Sequence, residues 1–378
     1  MEASSGSPSE TLSGGREGLR HEQWHEEEQR LVGETLVVDD DDEFDDSTYE
    51  DEDSGSYETS LASSATDFKY ELGRRYHAFK DGKYHLPNDE REISRLELQH
   101  RIWYLTLNGR LFLSPLSLSP PSTPTHHPST SPPTSTTTFH PQTFEVLDIG
   151  TGAGNWAIDF ASAHPNAQVT GTDLSPIQPN NVPGNCSFIV DDATEEWAFG
   201  KQFDFVHARM MGMAFRDWPK FFGSAWAVLK PGGWIELQEW TAPFRSDDGS
   251  LPPDCAFSRW NSGEAAAKAG IDVSVPSRFP QLLAAAGFAE VTDVQTKWPL
   301  GPWPKGRKEK RLGDLFLDDM IEALPAASLR LYTRVLGWEE ERVMAFLEEV
   351  KRDMLDPSIH AYMPVHICYA QKPLDAES

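Results

Sequence analysis

The stretch EVLDIGTGAGNWA, from Glu145 to Ala157, decides the fold predicted for this chain. It begins as a short apolar strand and passes through a loop with glycines at positions 150, 152 and 154 into the helical pattern NWAIDFASAH. Glycines in such a loop let backbone N–H groups approach a ligand, and the following helix offers further unpaired donors. The stretch alone therefore predicts a nucleotide-like ligand at the carboxyl end of a strand.

Strands and helices alternate on both sides of this loop. FEVLDI, AQVTGTD, CSFIVDD, FDFVHA and WIELQEW read as strands, and DWPKFFGSAWAVLKPGG reads as a helix closed by Pro and Gly. A helix around PQLLAAAGF, a strand VTDVQTKW, a helix from Trp338 to Met354 and a final strand HICYAQK follow. This alternation predicts an α/β fold with a doubly wound, mostly parallel, Rossmann-like sheet of seven strands.

The residues around the glycine loop predict which ligand binds. A dinucleotide fold needs GxGxxG, but the third position here is Asn155, which argues against a nicotinamide-dependent oxidoreductase. Asp148 would repel a pyrophosphate and can meet the α-ammonium of a methionine moiety. Asp173, at the end of the second strand, suits two ribose hydroxyls, and Asp192 suits the adenine amine with Ala193 beside the ring. Three acids at three strand ends predict S-adenosylmethionine, the alternative being that Asp148 and Asp173 only cap turns.

The predicted cofactor contacts are therefore Asp148, Gly150, Thr151, Gly152, Gly154, Asp173, Leu174, Asp192 and Ala193. Methyl transfer to an acceptor requires positioning and sometimes a general base. His207 and Arg209, after the fourth strand, are the catalytic candidates: a base with a pKa near neutrality, and a cation that orients a carboxylate or enolate acceptor. The structural alternatives are a hydrogen-bonded core histidine and a surface ion pair.

Apolar residues near this strand end predict an acceptor pocket, although core packing explains them equally well. The candidates are Met210, Met211, Met213 and Phe215, with Trp240, Trp260 and Trp303 as residues that stack on an acceptor. Residues 67–113 are predicted to form a helical lid that carries Tyr76, Tyr84 and His100. In that segment Asp89 and Glu92 form a capping pattern, and Ile93, Leu96, His100 and Trp103 share one helix face.

The remaining divisions follow from composition. Residues 1–66 hold 20 acidic residues and three arginines and are predicted to be a disordered acidic tail, with a possible protein partner as its functional alternative. Residues 114–140 are rich in Pro, Ser and Thr and are predicted to be a flexible insert. Residues 141–378 form the predicted catalytic domain.

The net charge of −27 argues against direct nucleic-acid binding, because an acidic chain is repelled by phosphates. Cys186, Cys255 and Cys368 lie far apart, so we expect no metal site and no disulfide framework. The sequence has neither a signal-peptide pattern nor a run of about 18 apolar residues, so no membrane contact is expected. A cytoplasmic or nuclear protein is predicted.

Most of the chain from residue 70 onward, apart from the insert, resembles the fungal LaeA-like (UMTA/TAM-type) methyltransferases. The matching stretches are YHLPNDEREISRLELQH, LDIGTGAGNWAIDFA, GTDLSPIQPNNVP, FIVDDATEEWAF, FDFVHARMM, LKPGGWIELQEW and LGWEEERVMAFLEEVKRDMLDPSIHAYMPVHICYAQKP. The resemblance implies a class I methyltransferase fold, S-adenosylmethionine as cofactor and a link to fungal secondary metabolism. Asn155 departs from the family, which more often has an aliphatic residue there, and the insert is a second departure.

Two functions are compatible with these observations. The first is an enzyme that methylates a small-molecule secondary metabolite. The second, which the resemblance also implies, is a nuclear regulator of secondary-metabolite gene expression that acts with a protein partner.

Overall fold

The computed structural model describes Leu36 and residues 68–77, 79–80, 84–118 and 143–376. The predicted acidic tail, apart from Leu36, and residues 119–140 of the predicted insert lie outside the described residues. The predictions made for those two segments therefore stay predictions.

Nine strands are present in the described part of the chain. They are β1 (Lys69–Glu71), β2 (Arg74–Tyr76), β3 (Phe144–Ile149), β4 (Ala167–Asp173), β5 (Cys186–Val190), β6 (Phe203–Arg209), β7 (Leu229–Trp240), β8 (Ala289–Pro299) and β9 (Tyr362–Gln371). β1 and β2 form an antiparallel hairpin, and the other seven strands form one sheet in the order β5-β4-β3-β6-β7-β9-β8.

The helices are interleaved with these strands. They are α1 (Glu90–Thr106), α2 (Asn155–Ala163), α3 (Trp218–Val228), α4 (Ala256–Asn261), α5 (Glu264–Lys268), α6 (Phe279–Ala285), α7 (Arg307–Arg330) and α8 (Glu340–Met354). A 3₁₀ turn, Val275–Arg278, precedes α6, and a π-helical turn, Leu331–Val335, continues α7. The predicted helix around PQLLAAAGF corresponds to α6, and the predicted helix from Trp338 begins slightly later, as α8.

The strand order places a ligand site at β3. The chain runs from β3 outward to β4 and β5, then crosses to β6 on the other side of β3. β3 to β7 are mutually parallel, whereas β9 is antiparallel to both of its neighbours. The prediction of a mostly parallel, doubly wound sheet of seven strands is confirmed, and the carboxyl ends of β3 and β6 meet at the switch point, where such sheets bind ligands.

Apolar side chains on both faces of β3 hold it in the centre of the sheet. Val146 faces a cluster with Trp156 and Phe160 of α2, whereas Leu147 faces a cluster that includes Phe222 of α3. All five side chains are at most 2% exposed. Burial of each such side chain stabilises the fold by about 1.5–3 kcal/mol, so the glycine loop after β3 stands on a rigid base.

Helix α1 begins as the sequence predicts but buries a different face. The Asp89 side chain caps it by accepting from the Glu92 N–H at 3.1 Å. Of the predicted apolar face only Trp103 is fully buried, while Ile93, Leu96 and His100 are partly buried. The buried face also carries charged and amide side chains, namely Glu92, Arg95 and Gln99. The predicted face was therefore only partly correct, because this helix covers a polar cavity wall as well as core.

The predicted boundary between lid and insert at residue 114 was wrong. Ser114 is fully buried, and both its N–H and its hydroxyl donate to Glu236 Oε2 on β7, at 2.7 and 2.6 Å. Leu113 N–H donates to the same carboxylate. Because a buried carboxylate needs such donors, Leu113 and Ser114 are fixed to the sheet, and the described residues continue to Leu118.

Candidate active site

A cavity of about 270 Å³ opens at the carboxyl ends of β3 to β7. One part, called here the polar half, is lined by residues 150–153 of the glycine loop, residues 172–175 at the end of β4 and beyond it, Ile177, and residues 191–194 after β5. The other part, called here the apolar half, is lined by residues 210–215, Trp240, Ala242 and Phe244, and by residues of helices α4, α5 and α7 and the π turn. Residues 84–88 and helix α1 cover the cavity.

The glycine loop has a backbone that only glycine adopts easily. Gly150, Gly152 and Gly154 all have positive φ angles, of 69°, 57° and 85°. A Cβ atom at Gly150 would collide with the Met211 thioether, and one at Gly154 would come within 2.6 Å of the Phe188 ring. Gly154 does not line the cavity and packs against Phe188, so its role is in the packing of the loop.

Asp148 and His207 form a buried pair beneath the loop. Asp148 Oδ1 lies 2.8 Å from His207 Nδ1, and Asp148 Oδ2 accepts from the Thr151 hydroxyl at 2.6 Å. The His207 ring has no exposed surface and stacks on the Trp156 indole, with centroids 3.7 Å apart. Neither Asp148 nor His207 lines the cavity.

This placement does not support two of the predicted roles. Both oxygens of Asp148 already have protein partners, so a contact to the cofactor ammonium is not favoured. His207 cannot reach an acceptor in the cavity, and the alternative of a hydrogen-bonded core histidine fits its surroundings. Asp148 and His207 instead fix the glycine loop and β6 relative to each other.

Asp173 is the acid that enters the polar half. Its side chain accepts from the Gly152 and Ser175 N–H groups, each at 2.9 Å. Burial raises the pKa of Asp173 to about 6, because the backbone donors offset only part of the lost hydration. A carboxylate in this state gains from further donors, and vicinal hydroxyl groups would supply two of them.

The segment after β5 supplies two further acids. Asp191 and Asp192 both line the polar half, together with Ala193. Asp192 Oδ1 accepts from the Thr194 N–H at 3.0 Å, and its Oδ2 lies 3.2 Å from Lys80 Nζ. Since both Asp192 oxygens have partners, its predicted contact to adenine stays a prediction.

Glu239, at the end of β7, is a cavity acid that the sequence analysis missed. It is 2% exposed and accepts from the Gly212 N–H at 2.7 Å and the Trp240 N–H at 3.1 Å. Burial raises its pKa to about 8, because the backbone N–H donors offset only part of the lost hydration. The signal that could have identified Glu239 is its position near the end of β7, because Asp148 and Asp173 are likewise acids near the ends of β3 and β4.

The apolar half contains most of the predicted acceptor residues. Met210, Met211, Met213, Phe215, Trp240 and Trp260 all line it. Trp303 does not, since its indole N–H donates to the Ala361 carbonyl outside the cavity. The far wall is α7, a helix that the sequence analysis overlooked. Its cavity residues, Phe316, Met320, Ala323 and Ala327, recur at helical spacing, which was the signal available.

Helix α1, which covers the cavity, forms a buried ion pair with α7. Tyr84 lines the cavity, and burial raises its pKa well above the usual range. Arg95 of α1 binds Glu92 at 2.7 Å and Asp319 of α7 at 2.8 Å, and all three side chains are buried. Tyr76 is buried outside the cavity, under the Arg330 guanidinium. The predicted lid residues therefore separate into Tyr84 at the cavity, Tyr76 in the core and His100 beside Arg209.

The described residues fit S-adenosylmethionine. Gly150 and Gly152 line the cavity with backbone that carries no side chain, and Asp173 retains acceptor capacity at the next strand end. Adjoining this polar half is an apolar half able to hold an acceptor. Among the described residues no group of His, Cys, Asp and Glu side chains is arranged to hold a metal ion. The fold and the site define a class I methyltransferase that uses S-adenosylmethionine.

Comparison with known proteins places the chain further. A family model described as a methyltransferase domain matches residues 106–293. Methyltransferase pytC of Aspergillus terreus is 37% identical over 318 residues, covering 83% of this chain and 91% of the relative. Secondary metabolism regulator LAE1 of Cochliobolus heterostrophus is 34% identical over 309 residues, covering 80% and 94%.

Protein-methionine methyltransferase laeA of Emericella nidulans is 33% identical over 313 residues, covering 81% of this chain and 77% of the relative. The chain belongs to this family of LaeA-like fungal methyltransferases. No helix in the described part of the chain is long and apolar enough to cross a bilayer.

Proposed function

We propose that this methyltransferase methylates a hydroxyl group on a small, largely apolar secondary metabolite. The observation that carries the proposal is the continuity of the polar and apolar halves in a single cavity. The apolar half presents aromatic and thioether side chains, which suit a flat, hydrophobic acceptor. Several relatives are named as regulators of secondary metabolism, which supports a link to that metabolism without identifying the acceptor.

Seven of the predicted cofactor residues line the polar half, and we propose that these bind S-adenosylmethionine. They are Gly150, Thr151, Gly152, Asp173, Leu174, Asp192 and Ala193. The bound cofactor supplies an activated methyl group. The protein's task is then to orient the acceptor, exclude water and accept the acceptor's proton.

Glu239 is the proposed general base, in place of His207. Its carboxylate lines the cavity at the end of β7, next to the segment around Gly212 that follows β6. A base with a pKa of about 8 is matched to the weakly acidic hydroxyl of an aromatic acceptor. Glu239 would accept the proton of the acceptor hydroxyl on a carboxylate oxygen, while that hydroxyl oxygen takes the methyl group from the bound cofactor and the carbon–sulfur bond breaks with its electron pair on sulfur.

The proposal is tested by blocking the apolar half. Ala323 of α7 faces the cavity and is only partly buried, so Ala323→Phe should fill acceptor space without displacing core. We expect this variant to lose methylation of hydroxylated aromatic test compounds and to keep its calorimetric affinity for S-adenosylhomocysteine. Ala284→Phe, on an exposed position of α6, is the matched control. Equal activity of both variants would contradict an acceptor site in the apolar half.

A second candidate function is methylation of a methionine side chain of the protein itself. The Met211 thioether lies against Gly150 of the cofactor loop, and Met210 and Met213 line the same cavity. A thioether sulfur is a nucleophile, so it can accept the methyl group to give a sulfonium. The name of the laeA relative refers to methionine methylation, which supports this candidate.

Peptide mass spectrometry after incubation with S-adenosylmethionine tests the second candidate. One added methyl group on a single methionine of 210–213, absent from the corresponding Met→Leu variant, would favour regulation by self-methylation. An unmodified segment in protein that methylates a small molecule would reject it.

A further inference from the structure

Among the described residues, Arg209 is the cavity arginine that forms no ion pair with a carboxylate. Arg95 and Arg209 are the two arginines among the described residues that line the cavity. Arg95 is neutralised by Glu92 and Asp319. In the described part of the chain, the partner of Arg209 is a ring nitrogen: its Nη2 lies 3.0 Å from His100 Nδ1.

A short relay fixes the direction of this hydrogen bond. Arginine only donates, so His100 Nδ1 must accept and the ring proton must lie on Nε2. His100 Nε2 then donates to Asp159 Oδ2 of α2 at 2.9 Å. Burial lowers the pKa of His100, which keeps the ring neutral. The relay therefore orients the guanidinium without neutralising it.

The charge of Arg209 persists at neutral pH. Burial lowers its pKa to about 10, with the carboxylates of Asp148 and Asp159 acting from a distance in the opposite direction. Neither carboxylate forms an ion pair with Arg209 in the described structure, because Asp148 is bound to His207 and Asp159 to His100. A partly buried cation in this state attracts an anion from the cavity.

Strand register places Arg209 beside the glycine loop. Ala208 of β6 pairs with Ile149 of β3, so Arg209 lies level with Gly150. Alternation along the strand puts Arg209 on the same sheet face as His207, which stacks on Trp156 in the first turn of α2. The guanidinium thus lies at the end of the cavity where the glycine loop enters α2.

We propose that Arg209 binds the α-carboxylate of the methionine moiety of S-adenosylmethionine, with His100 and Asp159 as positioning residues. The inference rests on the cofactor assigned above and gives Arg209 a different role from the acceptor contact predicted from the sequence. Charge supports it, because the other unpaired ionisable groups around the cavity are acids. Asp173, Asp191 and Glu239 would repel a carboxylate but tolerate the cofactor's ammonium and sulfonium.

The test compares S-adenosylmethionine with its decarboxylated analogue, which lacks only this carboxylate. Calorimetric affinities are measured for the wild type, Arg209→Gln and Arg209→Lys. Arg216→Gln is the matched control, since Arg216 is exposed, donates to the Ala269 carbonyl and does not line the cavity.

We expect Arg209→Gln to bind S-adenosylmethionine roughly 10- to 100-fold more weakly, as loss of a charge-assisted hydrogen bond implies. Its affinity for the decarboxylated analogue should stay within about twofold of wild type, which also shows that the variant is folded. Arg209→Lys should recover part of the loss.

Equal weakening of both ligands would overturn the proposal and make Arg209 a structural residue. Unchanged binding of both, with a raised KM for the acceptor, would overturn it in favour of an acceptor contact. A wild type that binds neither ligand would overturn the cofactor assignment as well, so the two failures are distinguishable.

Discussion

The two halves of the cavity are assembled from the chain in different ways. The polar half comes from three consecutive strand ends between residues 150 and 194, and each contributes a loop directly after its strand. The apolar half combines segments as distant as Met210, Trp260 and Phe316, and its walls are helices that follow β7 and β8 in the sequence. One half is therefore encoded locally and the other by tertiary packing.

The two halves also differ in how much substitution their packing allows. A loop fixed by Asp148 and Thr151 tolerates little variation, because a Cβ at Gly150 or Gly154 would collide with a neighbouring side chain and all three glycines have positive φ angles. Helices α5 and α7 line the apolar half with alanines as well as aromatic rings. A few substitutions there would reshape the acceptor site without touching the cofactor loop.

The largest effect is expected from Asp173→Ala, which should weaken S-adenosylmethionine by roughly 100-fold or more. Two hydrogen bonds to an ionised carboxylate contribute about 1.5–3 kcal/mol each. The cofactor's hydroxyl donors bind the charged Asp173 carboxylate better than the protonated form. The wild-type affinity for S-adenosylmethionine should therefore fall as the pH drops below the Asp173 pKa of about 6. Calorimetry between pH 5 and 8, roughly the range around that pKa, measures both effects.

Asp204→Ala is the control for this prediction. Asp204 pairs with Lys230 at the start of β6, away from the cavity, so its loss should leave affinity unchanged. If Asp173→Ala bound as tightly as Asp204→Ala, the polar half would not be the cofactor half.

Much of the polar half could be predicted from the sequence, because local pattern determines it. Glycine spacing and the acid at the end of β4 identified Gly150, Gly152 and Asp173 from neighbouring residues alone. The same reasoning did not reveal that Asp148 and His207 are hydrogen-bonded to each other, since the sequence shows only that both lie near the loop. Only the β3–β6 register, a long-range property, reveals that pair.

The apolar half was less accessible to prediction. Helix α7 was overlooked although its cavity stripe is periodic, and Glu239 was treated as part of a strand. The raised pKa of Glu239 results from the loss of hydration inside a cavity that residues between Tyr84 and Gln99 cover, and the sequence does not show that covering. Likewise, charged residues on the buried face of α1 make sense only once Asp319 of α7 is placed against Arg95.

The next largest effect is expected at the junction of the halves, from Glu239→Gln. Loss of a general base lowers the rate by roughly 100-fold or more. Wild-type kcat/KM should rise with pH through the Glu239 pKa, about 8 in the free protein, because only the ionised carboxylate accepts the proton. The variant should lack this rise, and its affinity for S-adenosylhomocysteine should match the wild type.

Steady-state pH profiles with one acceptor distinguish this from a packing role. A uniform loss of rate at every pH, with the wild-type profile retained, would show that Glu239 only supports the segment around Gly212. The neutral amide keeps the size of the side chain, so a gross change of fold is not expected.

The smallest effect is expected deep in the apolar half, from Trp260→Phe. The Trp260 indole N–H donates to the Ser328 hydroxyl of α7 at 2.9 Å, which fixes the ring as part of the acceptor wall. Phenylalanine keeps an aromatic surface but loses this bond, whose net contribution is about 0.5–1.5 kcal/mol. We expect acceptor KM to rise roughly 2- to 10-fold, with the affinity for S-adenosylmethionine unchanged.

Ser328→Ala and the double variant complete a thermodynamic cycle for this wall. If the indole–hydroxyl bond orients Trp260, the double variant should raise the acceptor KM no more than the more impaired of the two single variants does. Additive effects would mean that Trp260 and Ser328 act independently. A loss of cofactor affinity in either single variant would show that the two halves of the cavity are coupled. The Arg95–Asp319 ion pair, which joins α1 to α7, is the contact that would transmit a shift of α7 to the polar half.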